Sequence, residues 1–294
     1  MPPQIRLADG IAGFVSEYDA IIIDLWGVIH DGVSLYPGVA DCLQELVDRQ
    51  IPYAMLTNAP RRFHAIAKGM VKMGLPESLY PHIMSSGEAT WLGLKERREA
   101  WFDDVGTRCF HIGPARDENL FEEVDLERVP SVEQADFIVN TGPWEDGELV
   151  SDYEDQLAAG AQKGLKMVCA NPDLEVIRGG RKIICAGALA QRYEELGGDV
   201  LYYGKPYRPI YESCLHLIGD PEPSRVLAIG DSLRTDIAGA VGMGMDSVLV
   251  VGGIHGAEFS GGDPNDRAAI EDKITQTCAR GGHFPIAAIT RFSW

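Results

Sequence analysis

The chain has 294 residues, 45% of them hydrophobic and 8% aromatic, with a formal net charge of −18. That length exceeds one ordinary small domain and fits two packed ones. The acidic balance offers no basic stripe to displace counterions, which excludes nucleic acid as a partner and obliges any anionic substrate to rely on local cations.

In chain order, Ala20–Asp24 (AIIID) is an apolar run that ends in a carboxylate. Pro37-Gly38 then opens a segment in which Val39, Leu43, Leu46 and Val47 recur at helical spacing. Tyr53–Thr57 (YAMLT) is a second apolar run. From about residue 85 to 178 the pattern restarts, with strands expected at 108–112, 136–140 and 166–170 and helices at 88–98 and 152–160. Further apolar runs follow at 225–231 (RVLAIGD) and 247–251 (SVLVV). The Gly-rich stretch 252–266 reads as a surface loop, and 286–290 as an added edge strand.

Runs that are apolar throughout and separated by helices indicate a parallel sheet buried on both faces. The expected fold is therefore α/β: a doubly wound parallel-sheet core from residues 1–84 and 179–294, carrying an inserted α/β cap at 85–178. Ligands of such sheets sit beyond the carboxyl ends of the strands. Asp24, Thr57 and Asp231 all stand at those ends. The six cysteines are scattered without a C-x-x-C pair, which points to reduced, mostly buried thiols and supports neither zinc nor a disulfide framework. No apolar run is long enough to cross a bilayer, and the opening Met1-Pro-Pro-Gln-Ile-Arg6 has no signal-like stretch, so a cytoplasmic protein without membrane contacts is expected.

Four segments carry chemistry: Asp24-Leu-Trp-Gly-Val28, Leu56-Thr-Asn58, Gly204-Lys-Pro206 and Gly230-Asp-Ser-Leu-Arg-Thr-Asp236. A strand-end carboxylate can attack phosphorus. A Thr hydroxyl and the backbone N–H groups after it can hold phosphoryl oxygens. A lysine can bridge nucleophile and phosphate and offset the charge that develops. Asp24 with Asp231 and Asp236 makes an all-oxygen set suited to Mg2+. Singly, each has an ordinary reading: a helix cap, a strand end, a surface lysine before a Pro-led helix. Their order and spacing favour the chemical one.

In these motifs the sequence resembles the haloacid dehalogenase superfamily, in its NagD-like class IIA branch. Asn171-Pro-Asp173, Ala186-Gly-Ala-Leu189 and the long interval from Thr57 to Lys205 share the likeness. The resemblance implies Asp24 as nucleophile, Lys205 as the bridging cation, and Thr57 and Asn58 as phosphate holders. It also implies a metal site from Asp24, the Trp26 backbone carbonyl and Asp231, supported by Asp236. The expected function is magnesium-dependent hydrolysis of a small phosphorylated metabolite such as a sugar phosphate, through an aspartyl-phosphate, with a homo-oligomer left open.

One departure stands out. Phosphatases of the superfamily usually place an aspartate two residues after the nucleophile as general acid and base; here that position is Trp26. The indole cannot shuttle a proton, a loss worth roughly 10²–10⁴ in rate. The alternatives are therefore a weakly active phosphometabolite-binding protein, or aspartate attack on another bond such as carbon–halogen. Trp26 could cover the pocket or stack on substrate, and His30 in the following flap could substitute as the acid. Arg61 and Arg62 open a helix where cations oppose the dipole, which hints at an anionic group. Trp144, in Asn140-Thr-Gly-Pro-Trp144, could line the substrate pocket from a cap loop.

Overall fold

The computed structural model describes residues 3–97, 99–178, 181–253 and 266–294. The chain divides into two compact units, one comprising Met1–Thr57, Ile66–Met84 and Lys205–Trp294, the other Asn58–Ala65 and Ser85–Gly204.

The strands in chain order are β1 (Leu7–Ala8), β2 (Ala20–Asp24), β3 (Tyr53–Thr57), β4 (Ile83–Ser85), β5 (Arg108–Ile112), β6 (Glu127–Val129) and β7 (Phe137–Asn140). Then come β8 (Lys166–Cys169), β9 (Glu175–Arg178), β10 (Arg181–Ile184), β11 (Asp199–Tyr202), β12 (Val226–Gly230), β13 (Asp246–Val250) and β14 (Ala287–Ile289). The helices are α1 (Val39–Asp48), α2 (Phe63–Lys72), α3 (Ser86–Glu96), α4 (Glu154–Lys163), α5 (Ala186–Glu195), α6 (Arg208–Leu217), α7 (Ala238–Met243) and α8 (Arg267–Gly281).

The first unit is built on a seven-stranded sheet in the order β1-β14-β13-β12-β2-β3-β4. Its pairings from β1 through β3 are parallel. Every residue of β2, β3 and β12 is buried, as an all-apolar run covered on both faces requires. Gly38, in the left-handed conformation, starts α1, which buries Val39, Cys42, Leu43 and Leu46. Val47, expected on that stripe, is 36% exposed. At 100° per residue it lies beside the buried arc, and Cys42 fills the place instead. The closing strand β14 is shorter than expected and is no edge: it lies between β13 and β1, because the two-residue strand Leu7–Ala8 covers it.

The second unit carries its own parallel sheet, β11-β8-β7-β5-β6, and a β9–β10 hairpin. The expected exit at residue 178 is corrected here, since this unit continues to Gly204. The reason is packing: α5 buries Ala186, Leu189 and Tyr193 in the same core as Ile138 and Met167, and β11 pairs in register with β8. Helix α3 starts two residues before the expected Glu88, because Ser85 is the N-cap and accepts the Glu88 N–H at 3.0 Å. Its expected last residue, Arg98, lies outside the described residues, as does 254–265 of the expected loop 252–266. Helix α4 begins at Glu154, after a 3-10 turn at Val150–Tyr153. All six cysteines are free and buried. Among the described residues, no helix is long and apolar enough to cross a membrane.

Candidate active site

Strand register assembles the first unit's site. Leu56 pairs with Asp24, and Ile229 pairs with Ile23, so Thr57 stands one residue beyond the partner of Asp24 and Asp231 two residues beyond the partner of Ile23. Adjacent strands lie about 4.8 Å apart, which crowds the three side-chain positions together. Asp24, Asp231, Asp236 and Lys205 are all at most 5% exposed.

After β12 the chain makes a single π turn over Leu233–Ile237, in which the N–H groups of Asp236 and Ile237 both donate to the Ser232 carbonyl, at 3.0 and 3.1 Å. That extra residue in the turn is a device often found at functional sites. It brings the Asp236 carboxylate back so that Oδ2 accepts the Ser232 N–H at 3.1 Å. The other oxygen, Oδ1, accepts from Lys205 Nζ at 2.6 Å, and Lys205 also donates to Asp24 Oδ1 at 2.5 Å. One ammonium thus bridges two carboxylates. Ser232 was not singled out in the sequence; the only sign of it was its place between Asp231 and Asp236.

Burial pushes the Asp24 carboxyl well above the usual carboxylate range, and the neighbouring Asp236 charge adds to this, against the opposing pull of Lys205. Burial alone would discharge Lys205, but the Asp236 and Asp24 carboxylates outweigh it and hold the ammonium protonated. Carboxylate oxygens of Asp24, Asp231 and Asp236 all lie within 4.8 Å of one another. Three carboxylates gather beside one ammonium, and the metal-facing donors are all oxygen. Both properties fit a hard divalent cation. Backbone shape reinforces the crowding. Gly27 has φ +83°, and a Cβ there would lie 1.9 Å from Asp231 Oδ2, so only glycine lets the loop after Asp24 pass so close.

Thr57 is 7% exposed at the end of β3. In the second unit, one amide N–H of Asn58 goes to Asp173 Oδ1 at 3.0 Å, and the Asp173 N–H donates to Asn171 Oδ1 at 3.0 Å. Asp173 thereby fixes the Asn58 side chain. Its signal in the sequence was the Asn-Pro-Asp turn, since Asn accepts readily from the N–H two residues on.

Of the adjacent arginines, Arg61 is exposed and Arg62 buried. Arg62 donates from Nε and Nη2 to Glu88, at 2.6 and 3.2 Å, and lies 3.7 Å over the Trp91 ring. The Phe63 N–H donates to the same carboxylate at 3.2 Å. Arg62 is thus engaged in a buried pair with Glu88. Trp144 is also a packing residue: its ring meets Phe110 and Tyr153, and its backbone N–H donates to the Tyr153 hydroxyl. His30, read as a flap residue, is only 8% exposed. Burial lowers its pKa, and its Nδ1 accepts the Gly32 N–H at 3.1 Å, which leaves the ring proton on Nε2. Trp26 is 42% exposed.

Family models described as haloacid dehalogenase-like hydrolase and HAD-hydrolase-like match residues 21–127 and 202–275. A solved haloacid dehalogenase-like hydrolase from Brucella suis 1330 is 33% identical, with a TM-score of 0.80, over 97% of this chain and 100% of its own. The ribonucleotide monophosphatase NagD of Escherichia coli K12 is 27% identical over 80% of this chain and 88% of its own length. The 5'-nucleotidase YutF of Bacillus subtilis is 24% identical over 89% and 98%.

Proposed function

The chain belongs to the haloacid dehalogenase-like hydrolases, in their NagD-like branch, and from that membership we propose a magnesium-dependent phosphatase of a small phosphorylated metabolite that uses Asp24 as nucleophile. The observation that carries the reading is the Asp24–Lys205–Asp236 bridge beside Asp231, a buried cluster whose three carboxylates offer oxygens within 4.8 Å of one another. The relatives named as phosphatases supply the phosphomonoester class.

In this mechanism Asp24 Oδ attacks phosphorus, the ester P–O bond breaks, and its electron pair leaves on the departing oxygen. Water then attacks the aspartyl-phosphate at phosphorus, which releases phosphate and restores the carboxylate. Lys205 orients the Asp24 carboxylate and offsets charge as the phosphoryl group is transferred. Asp236 holds Lys205 in place. The Thr57 hydroxyl and the backbone N–H groups at Asn58 receive phosphoryl oxygens. Asp24, Asp231 and the Trp26 carbonyl would hold Mg2+, with Asp236 in support, and the ion would supply charge neutralisation at the transferring phosphoryl group. The strong negative charge and the lack of a membrane-crossing helix among the described residues favour a cytoplasmic enzyme acting on metabolites rather than nucleic acid.

The test is turnover of a phosphate-ester panel, plus a haloacid, with and without Mg2+. Wild type should hydrolyse phosphates only with the metal, and Asp24→Asn should lose roughly 10⁴-fold or more while staying folded. Activity of Asp24→Asn within tenfold of wild type removes Asp24 as nucleophile. Haloacid turnover without metal moves the chemistry to carbon–halogen cleavage.

A further inference from the structure

We propose that the exposed indole of Trp26 is a fixed platform for the leaving group, and that the preferred substrates are aryl phosphates, in which a planar ring bears the ester oxygen. The inference rests on the phosphatase reading and names its substrate class. Two unrelated properties of one residue converge on it.

The first is position and rigidity. Trp26 stands two residues beyond Asp24, so their Cα atoms are no more than about 7.6 Å apart. The loop around it is tightly closed: the Gly27 N–H donates to the His30 carbonyl at 2.9 Å, and the Ile29 N–H to the Leu25 carbonyl at 2.9 Å. The indole lies flush on Gly32, where a Cβ would come within 2.3 Å of Trp26 Cη2. Its edge meets the buried His30 ring, with centroids 5.8 Å apart at an interplanar angle of 81°. His30 in turn is tied to the Gly32 N–H. A large aromatic pinned on one side and still 42% exposed offers a preorganised flat apolar surface.

The second property is what the residue lacks. An indole N–H is far too weakly acidic to transfer its proton to an ester oxygen, so the leaving group departs as an anion and takes its proton from solvent afterwards. When Asp24 forms its bond to phosphorus and the ester P–O bond breaks, a phenolate accepts the electron pair readily. An alkoxide does not, and without a donor its departure is slower by roughly 10²–10⁴. A planar, weakly basic leaving group satisfies both requirements.

The two properties separate on four phosphates. p-Nitrophenyl phosphate has a ring and a good leaving group, acetyl phosphate only the good leaving group, benzyl phosphate only the ring, and ethyl phosphate neither. With Mg2+, wild-type kcat for p-nitrophenyl phosphate should exceed that for benzyl phosphate by roughly 10²-fold or more. Trp26→Leu should raise KM for the two ring-bearing esters roughly two- to tenfold relative to the ringless pair, whatever loss all four share. Trp26→Phe should restore most of that difference. Equal losses on all four overturn the platform, and benzyl phosphate turned over as fast as p-nitrophenyl phosphate overturns the leaving-group argument. If none of the four is hydrolysed, the phosphatase reading itself falls.

Discussion

Two buried clusters of charge in this protein look alike in a list of ion pairs and differ in balance. Arg62 and Glu88 form a pair with side chains 10% and 11% exposed, closed by two arginine bonds, a backbone N–H and the face of Trp91. Every strong donor there meets an acceptor. Asp24, Asp231, Asp236 and Lys205 are buried more deeply, with carboxylates outnumbering the ammonium. Buried charge is tolerated when it is paired and hydrogen-bonded, and an excess of one sign is kept only where something else is to be bound. The balanced cluster belongs to structure. The acid-rich one is the cluster we propose for Mg2+ and a phosphoryl group.

The largest effect that sharpens this contrast is on stability. Glu88→Ala strands the Arg62 guanidinium and the Phe63 N–H in a buried place, and should cost about 3–5 kcal/mol. The double variant Arg62→Leu/Glu88→Leu, which removes both charges, should recover most of that loss. Urea midpoints of the three proteins decide it. A single variant within about 1 kcal/mol of wild type would show that the pair is not a structural clamp.

The contrast also explains what could be read in advance. Asp24, Thr57 and Asp231 were legible because an apolar run must end somewhere, and in a parallel sheet its polar end is where ligands go. Lys205, between Thr57 and Asp231, and Asp236, five residues past Asp231, came from motif spacing. What tertiary packing decides was not legible. Arg61 and Arg62 are adjacent cations, and only Glu88, 26 residues beyond Arg62, selects which of them is buried. Ser85-x-x-Glu88 has the spacing of a capping box, yet Glu88 turns to Arg62 instead. The exit of the second unit was set too early because Asp199–Tyr202 looks like any short strand until its pairing with β8 is seen.

A third case, in the second unit, is a titratable group kept neutral. His111 on β5 bonds Thr141 Oγ1 through Nε2 at 3.0 Å and packs edge-on to Phe121. Burial first, and then the charge of Arg128, lower its pKa from 6.5 to about 4. The folded protein therefore leaves the imidazole uncharged, while the unfolded chain takes up a proton below pH 6.5. Stability contributed by the neutral ring is present above pH 6.5 and is lost as pH falls toward 4, by roughly 2 kcal/mol once partial exposure is allowed for. His111→Gln should flatten the dependence of unfolding free energy on pH across that window. Parallel profiles for the two proteins between pH 7.5 and 4.5 would remove His111 as a source of acid sensitivity.

The smallest effect probes the unbalanced cluster by adding to it. Trp26→Asp places a fourth carboxyl two residues from Asp24 and leaves the backbone carbonyl proposed for Mg2+ intact. The new group can protonate a departing oxygen, which helps alkyl esters and does little for aryl esters, whose phenolates leave unaided. It also removes the indole resting on Gly32 and brings another anion toward a carboxyl already raised by burial and by Asp236. Without metal, that added repulsion should lower stability. With Mg2+ present, part of it should be recovered, because the ion stabilises only the folded state. The ratio of ethyl to p-nitrophenyl phosphate turnover should rise roughly tenfold, short of the full worth of a positioned acid because the loop was shaped around an indole. If the ratio stays level in a folded, Mg2+-binding variant, proton supply is not what the tryptophan withholds. The excess negative charge beside it would then be tuned for the metal alone.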